Sequence, residues 1–481
     1  MVSLVKLERV NMMKSRKMKS SKKNAMALVL AAAVGGAEMS VAQAQQVGLA
    51  SDNLGQALIY PYLTANDGWS SFLHVINTST YTVAAKVRFR TATDSADAYD
   101  FIVVLSPNDM WTGVVEQQGG QVGFRPTDHT CTVPYFGSGR FTPFVVQASE
   151  VYAEVIMMGA STSTAEGSVA ANAKHDHNAG QPKDCNAVES AFASPASMSG
   201  ANGTAAQFNV PLLNLAANVL TGKYDLANVG LGQAGAGRAT VLGLFSTVGS
   251  PYTINNLTGM WSQSPGDWDH PTLAESVFGL QAVNAVLSHT AVINEWVLNP
   301  NLGELSSWIV TFPTKKLTVD AFNAINALTT QTAKLPNHFS GCQAVTPLVY
   351  NREERPLILA SPGGPQLCNE VNVVNFKNGS LDSSSVLGSR VAVTLDTSPL
   401  GSGVLAGWMH LGMPDTNINT GPLNRRLTQT TLPSVFPNPN GGYSLGSGIL
   451  ASRGRPVVGF NLTVRSTPSD AVLYDHAYRS F

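Results

Sequence analysis

Over residues 56–159 apolar and polar side chains alternate in short runs, and the period is that of β-strands. Val83, Ala85, Val87 and Phe89 alternate with Thr82, Ala84, Lys86, Arg88 and Arg90, which predicts a strand with one buried face and one wet, charged face. Asn77-Thr78-Ser79-Thr80 reads as a turn, so residues 72–76 and 83–89 are expected to form an antiparallel pair. Residues 101–105 are a continuous apolar run closed by Ser106-Pro107-Asn108-Asp109, after which Met110-Trp111 opens another strand. Residues 145–157 supply more, with Val151, Ala153 and Val155 opposite Tyr152, Glu154 and Ile156. Short strands at this spacing, separated by turn signals, predict an antiparallel sandwich.

The texture changes at residues 160–206, which are rich in Ala, Ser, Thr and Gly and read as a long loop tied back by Cys185. Leu212, Leu215, Ala216 and Val219 fall at helical spacing and predict a short helix over 211–220. The glycine-rich stretch 230–237 then reads as a boundary. β texture returns at 240–245, 290–298, 308–312, 371–376, 391–395 and 404–411, with short helices expected at 280–287 and 319–328. The clearest strand is the last, where Val458, Phe460, Leu462 and Val464 alternate with Val457, Gly459, Asn461, Thr463 and Arg465. The expected fold is mainly β, with two antiparallel sandwich regions, immunoglobulin-like or jelly-roll-like, and a few inserted helices. The expected organisation is an N-terminal sandwich at 45–206, a helical and glycine-rich connection at 207–239 and a C-terminal β-rich domain at 240–481. No repeat of fixed period is present, which argues against a solenoid or propeller.

The first residues carry a different signal. Lys14, Arg16, Lys17, Lys19, Lys22 and Lys23 precede an alanine-rich apolar run from Ala25 to Val34, and Ala42-Gln43-Ala44 is a small-x-small site. That order is the signature of a signal peptide over residues 1–44, with an apolar run of about 10 residues that is too short to span a bilayer. The alternative is an uncut N-terminal anchor, and both routes take the chain out of the cytoplasm to the periplasm, outer surface or medium. No later stretch is long and apolar enough to be a transmembrane helix.

Residues 1–44 hold eight of the 30 Lys and Arg and two of the 31 Asp and Glu, so the remainder carries a net charge of −7. Such a chain lacks the basic footprint that phosphates require, which excludes nucleic acid as a partner. Only 13% of residues are charged, so loops and surfaces are covered by neutral polar groups, as suits a secreted β protein.

The four cysteines, Cys131, Cys185, Cys342 and Cys368, include no C-x-x-C pair. In an oxidising compartment an even count reads as disulfides. Three pairings are open, and loop-closure entropy favours Cys131–Cys185 with Cys342–Cys368. Each bridge is expected to contribute about 2–4 kcal/mol.

Several segments resemble a family of uncharacterised exported proteobacterial proteins. They are Tyr60-Pro61-Tyr62-Leu63-Thr64, Gly68-Trp69, Lys86-Val87-Arg88-Phe89, Leu105-Ser106-Pro107-x-Asp109-x-Trp111-Thr112, Asn294-Glu295-Trp296, Trp308-x-Val310-Thr311-Phe312-Pro313-Thr314-Lys315 and Ser361-Pro362-Gly363-Gly364. The resemblance spans most of the chain beyond residue 44. It implies export and a β-sandwich architecture, and no mechanism.

Candidate chemistry is sparse. Gly230-Leu231-Gly232-Gln233-Ala234-Gly235 fits G-x-G-x-x-G, but no clear strand precedes it and no helix follows, so a flexible connection is expected instead of a nucleotide cradle. His175-Asp176-His177 offers two imidazoles to a divalent metal, with solvated loop histidines as the alternative. Asp267, Trp268 and Asp269 could form an oxygen-rich or sugar-stacking turn, against a plain turn before Pro271. Glu154 and Glu295 would make a glycosidase pair only if one cleft held both, and the alternative for Glu295 is a buried pair with an arginine such as Arg390. No nucleophile elbow, zinc helix or calcium loop is present, and no cofactor is expected.

Together these features lead to a non-catalytic exported envelope or cell-surface protein with a structural or surface-interaction role. The alternative is a carbohydrate-binding or carbohydrate-active secreted protein that uses exposed Trp and Glu side chains. Partners in either case are surface components, glycans or further copies of the chain.

Overall fold

In the computed structural model the described residues are 48–161, 163–176, 178–192, 217–243, 286–315, 342–358, 365–413 and 454–479, with two further short strands at Val435–Pro437 and Tyr443–Leu445. The helix expected at 319–328 and most of those at 211–220 and 280–287 lie outside them.

The chain begins with β1 (Ala57–Thr64), β2 (Trp69–Asn77), β3 (Thr82–Thr91), β4 (Asp97–Leu105), β5 (Met110–Gln118), β6 (Gln121–Pro126), β7 (Cys131–Val133) and β8 (Glu150–Ser161). Two short helices follow, α1 (Val169–Ala173) and α2 (Cys185–Phe192), then β9 (Leu220–Asn228), β10 (Gln233–Arg238) and β11 (Thr240–Gly243). These strands make two antiparallel sheets. One has the order β11–β1–β8–β3–β4–β7 and the other β10–β9–β2–β5–β6. Val83, Val87, Phe101, Leu73, Trp111 and Phe124 from the two sheets meet in one apolar core.

The expected pairing of 72–76 with 83–89 is not made, because β2 and β3 lie in opposite sheets. Alternation marks which face of a strand is buried and does not say which strand lies beside it. Asn77 holds the crossover: its Nδ2 donates to Tyr81 O at 2.7 Å and Ser106 O at 2.9 Å, and its Oδ1 accepts from Ser79 N at 3.0 Å. Its backbone N–H also donates to Asp109 O at 2.9 Å, which ties in the parallel crossing of the chain between β4 and β5.

The C-terminal half supplies β12 (Ala291–Asn299), β13 (Glu304–Thr311), β14 (Thr346–Asn351), β15 (Val371–Asn378), β16 (Ala392–Asp396), β17 (Ala406–Gly412), β18 (Val458–Ser466), β19 (Ser469–Asp475) and β20 (Ala477–Arg479). All belong to one large sheet. β12 and β13 pair only at Leu298–Leu305 and Asn299–Glu304, at the hairpin end, and then diverge. β12 continues with β17, β14 and β20, while β13 continues with β15 and β18. The two leaves face each other over a second core that includes Trp296, Trp308, Phe376, Val349 and Met409. The strands expected in this half are therefore present, and the fold is mainly β with two sandwich layers pairs.

The leaf of β13, β15 and β18 is buried on both faces. Trp308, Val310, Val374 and Phe376 fill the second core, while Ile309, Val371, Val373, Phe460 and Leu462 fill the first. Polar bonds cross at the same level. Trp69 Nε1–H donates to Val386 O at 2.8 Å, Thr311 Oγ1 donates to Pro61 O at 2.7 Å, and Val371 N–H donates to Ala92 O at 2.8 Å. Buried Glu150 accepts from Tyr62 OH at 2.8 Å and from Arg390 N–H at 2.9 Å.

Both disulfides have the local pairing, Cys131–Cys185 and Cys342–Cys368. The segment expected as a loop before residue 193 instead forms α1 and α2. Cys185 is the first residue of α2, and Val169, Val188 and Phe192 pack on Ala84, Ile102 and Val104 at the outer face of the first sheet. The Ser168 hydroxyl caps α1 by accepting from Ala171 N.

The glycine-rich stretch is a hairpin and not a flexible connection, with β9 and β10 paired from Lys223–Arg238 to Asn228–Gln233. Gly232 has φ +66 in the turn, where glycine is favoured. A Cβ on Gly235 would run into Leu473, and one on Gly237 into the Tyr224 phenol. The glycines thus let β10 lie against Leu473 and Tyr224, and the nucleotide motif is a packing pattern. Gly235→Val is expected to lower the unfolding free energy by about 1–3 kcal/mol, the usual cost of overpacking. Gly230→Ala, which meets nothing closer than 3.5 Å, should stay within about 0.5 kcal/mol. Urea unfolding of both variants checks this, and equal losses would contradict it.

Candidate functional site

The alternation that builds β3 places Lys86, Arg88 and Arg90 on the outer face of the first sheet. They were expected to be wet, yet Lys86 is 0% exposed, Arg88 3% and Arg90 2%. Register explains how the charges are accommodated. Arg88 lies opposite Asp100 and Arg90 opposite Asp97 on β4, and Glu154 lies opposite Arg88 on β8. Arg90 Nε donates to Glu154 Oε2 at 3.0 Å, and its Nη1 reaches Ser95 O at 3.0 Å and Asp97 Oδ1 at 3.2 Å. Lys86 Nζ pairs with Asp100. Burial pulls the Lys86 ammonium down to about 8, helped by the neighbouring Arg88 charge and opposed by Asp100. Burial also holds the Glu154 carboxyl above its ordinary value, against the pull of Arg90 and Arg88.

Glu154 and Glu295 are not brought to one cleft. Glu154 is fully buried in the first sheet, whereas Glu295 is exposed on β12. The Arg390 backbone N–H donates to Glu150, in the first sandwich. His175 is half-buried beside the 106–109 turn, with Nδ1 3.4 Å from Ser106 Oγ and 3.8 Å from Asp109 Oδ2. His177, Asp267, Trp268 and Asp269 lie outside the described residues. Among the described residues no three His, Cys, Asp or Glu side chains are grouped to hold a metal ion.

One constellation escaped the sequence reading. On the outer face of the second sheet, Thr112 Oγ1 lies 3.0 Å from His74 Nδ1, and His74 Nε2 lies 2.8 Å from Asp225 Oδ2. β5, β2 and β9 are neighbours in that sheet and set this order of hydroxyl, imidazole and carboxylate. The order is that of a nucleophilic triad, but the electrostatics beside it oppose acyl transfer. The Thr112 backbone N–H donates to the Asp128 carboxylate, so an acceptor occupies the ground where an oxyanion would need donors. Burial raises the Asp128 carboxyl, while the Thr130 and Thr112 amides lower it and nearby Asp109 adds to the rise. The alternating polar positions of β2 would have revealed His74, but its partners come from strands 38 and 151 residues away.

His476 is a second buried titratable group without a sequence signal. Its Nε2–H donates to Ile309 O at 2.9 Å, so Nδ1 is the acceptor for the Asn294 amide at 3.0 Å. Burial pulls the imidazole down to about 4, and the Ile309 carbonyl opposes this.

The outer face of the β12–β17–β14 leaf carries exposed aromatic chemistry. Trp408 on β17 lies directly between Tyr350 on β14 and Glu295 on β12. The Tyr350 ring stacks on the indole with centroids 4.2 Å apart and planes 9° apart. Trp408 is 40% exposed, while Trp69, Trp111, Trp296 and Trp308 are buried. His410 is two residues further along the same face.

No protein family model, no curated protein and no solved structure matches the chain.

Two consequences can be measured. Arg90→Met leaves the Glu154 carboxylate buried without its guanidinium and is expected to cost about 3–5 kcal/mol, part of which Arg90→Met/Glu154→Leu recovers. Urea unfolding of both tests the coupling, and a double variant no more stable than the single one would refute it. Between pH 6.5 and about 4 the unfolded chain binds a proton that native His476 refuses. Stability therefore falls as pH falls through that window, by on the order of 3 kcal/mol in full. The raised carboxyls of Glu154 and Asp128 act in the opposite sense, so the comparison is with His476→Asn, whose stability should vary less steeply over this range. Identical slopes would exclude His476 as the source.

Proposed function

We propose that this chain is an exported, non-catalytic protein of the bacterial envelope or exterior that acts by surface interaction. The observation that carries this reading is the pair of disulfides, Cys131–Cys185 and Cys342–Cys368, with no free cysteine in the chain. Such bridges persist in oxidising compartments, and the basic and then apolar N-terminus ending at Ala42-Gln43-Ala44 supplies the route there. No helix among the described residues is long and apolar enough to cross a membrane.

The surface-interaction role rests on how the side chains are spent. The charged groups of β3 and β8 are consumed in internal pairs, and the Thr112–His74–Asp225 row faces a carboxylate where catalysis would need donors. Among the described residues, the aromatic and carboxylate row at Trp408 is exposed on an outer sheet face. A carbohydrate-binding role is the form of this reading that the row favours, because aromatic faces and carboxylates together suit hydroxyl-rich ligands.

Expression of the full chain in a Gram-negative host tests the proposal. The expected product is periplasmic or extracellular, begins at Gln45, and gains mass on alkylation only after reduction. A cytoplasmic product with four accessible thiols would overturn the reading, as would robust glycan hydrolysis by the purified protein.

A further inference from the structure

Trp408 sits in the middle of β17, with β14 on one side and β12 on the other. Its indole is therefore fixed by two flanking strands, unlike a ring on a loop tip. Tyr350 covers one face of the indole, and the neighbour on the other side is Glu295. His410 follows on the same face, with its imidazole held below the usual range by burial first and by the Arg479 charge second. A neutral imidazole offers one donor and one acceptor, and the Glu295 carboxylate offers acceptors.

The surroundings decide what kind of partner fits. Thr346 and the turn residues Arg352, Glu353, Glu354 and Arg355 are all exposed, while half-buried Ile293, Val297, Leu348 and Ala406 share the face, so the aromatic pair stands on a mixed surface of small apolar area. A protein interface of standard size covers about 800 Å² per partner and has an apolar centre. One aromatic pair with a few half-buried aliphatic side chains beside it does not provide that area. A sugar ring has the matching anatomy: a patch of C–H groups on one face to lie on an indole, and a rim of hydroxyls for a carboxylate and an imidazole.

We propose that the Tyr350–Trp408–Glu295 row, with His410 beside it, is a binding site for an oligosaccharide of pyranose units whose ring hydroxyls are equatorial. Such sugars present a flat C–H face, and the strand register aligns the aromatic and acidic groups across the sheet so that one ring meets both. This inference rests on the exported surface-interaction reading and names its ligand class.

The test uses the full chain purified from an exporting host, with both disulfides formed, and calorimetric titration with chitotetraose and with cellotetraose. At least one is expected to bind, with a Kd of about 10 μM to 1 mM. Trp408→Ala should weaken binding by about tenfold or more and Glu295→Gln by about threefold, while Trp408→Phe retains part of the affinity. Tyr474→Ala, an exposed aromatic on β19, should change nothing. Thermal unfolding of each variant checks that the fold is kept. Binding of chitotetraose alone would add a requirement for the 2-acetamido group. Absence of binding by the unaltered chain, or undiminished binding by Trp408→Ala, overturns the site. N-terminal sequencing and thiol mass on the same preparation separate the two readings: an exported, oxidised chain that binds neither glycan removes the site alone, and a chain that is not exported removes the reading beneath it.

Discussion

The leaf of β13, β15 and β18 is covered on both faces, and the rest of the structure depends on that double burial. A strand with one wet face can carry any polar residue there, but on a strand between two cores each buried polar group left without a partner is costly, as Asn375 Nδ2 and Asn461 Oδ1 are here, and most are paired. Ser307 Oγ accordingly donates to Asn375 Oδ1 at 2.8 Å, and Asn372 Nδ2 donates to Asn369 O at 2.8 Å. Thr311 spends its hydroxyl on Pro61 in the first sandwich. The same leaf is thus the floor of one core and the wall of the other, and the two halves of the chain share it by packing.

That arrangement decides where polarity can go. The outer face of the first sheet is closed off as well, by α1 and α2 at one end and by the internally paired Lys86, Arg88, Arg90 and Glu154 along β3 and β8. Buried ion pairs of this kind are weak sources of net stability, since desolvation offsets much of their attraction, but they penalise any register that separates the partners. Lys86, Arg88, Arg90 and Glu154 are thereby withdrawn from any ligand on that face. Trp408 differs in being exposed on a strand that has a partner strand on each side.

The chemistry that sequence reading sought was in the wrong places for a physical reason. Glu154 had the look of a carboxylate beside an apolar run, and it is one, but its function is to neutralise Arg90 inside the sheet. His74 had no motif around it, because Thr112 and Asp225 reach it across strand register and not along the chain. Trp408 carried no more signal than the buried tryptophans, since an indole in an apolar-looking strand has the same local sequence whether its face ends up in a core or in solvent.

The sequence by itself determined the β class and the positions of most strands, and it favoured the local disulfide pairing among three. Alternation with period two fixes strand and face, and short loops close at the least entropic cost. Only the tertiary structure decided which sheet each strand joins, so that 72–76 and 83–89 part company at Asn77. It also decided that β3 buries its cations, that Gly235 and Gly237 make room for Leu473 and Tyr224, and that β18 is covered on both faces. A strand's own residues record that it has two faces; what lies against each face is set by segments hundreds of residues away, and no local pattern contains it.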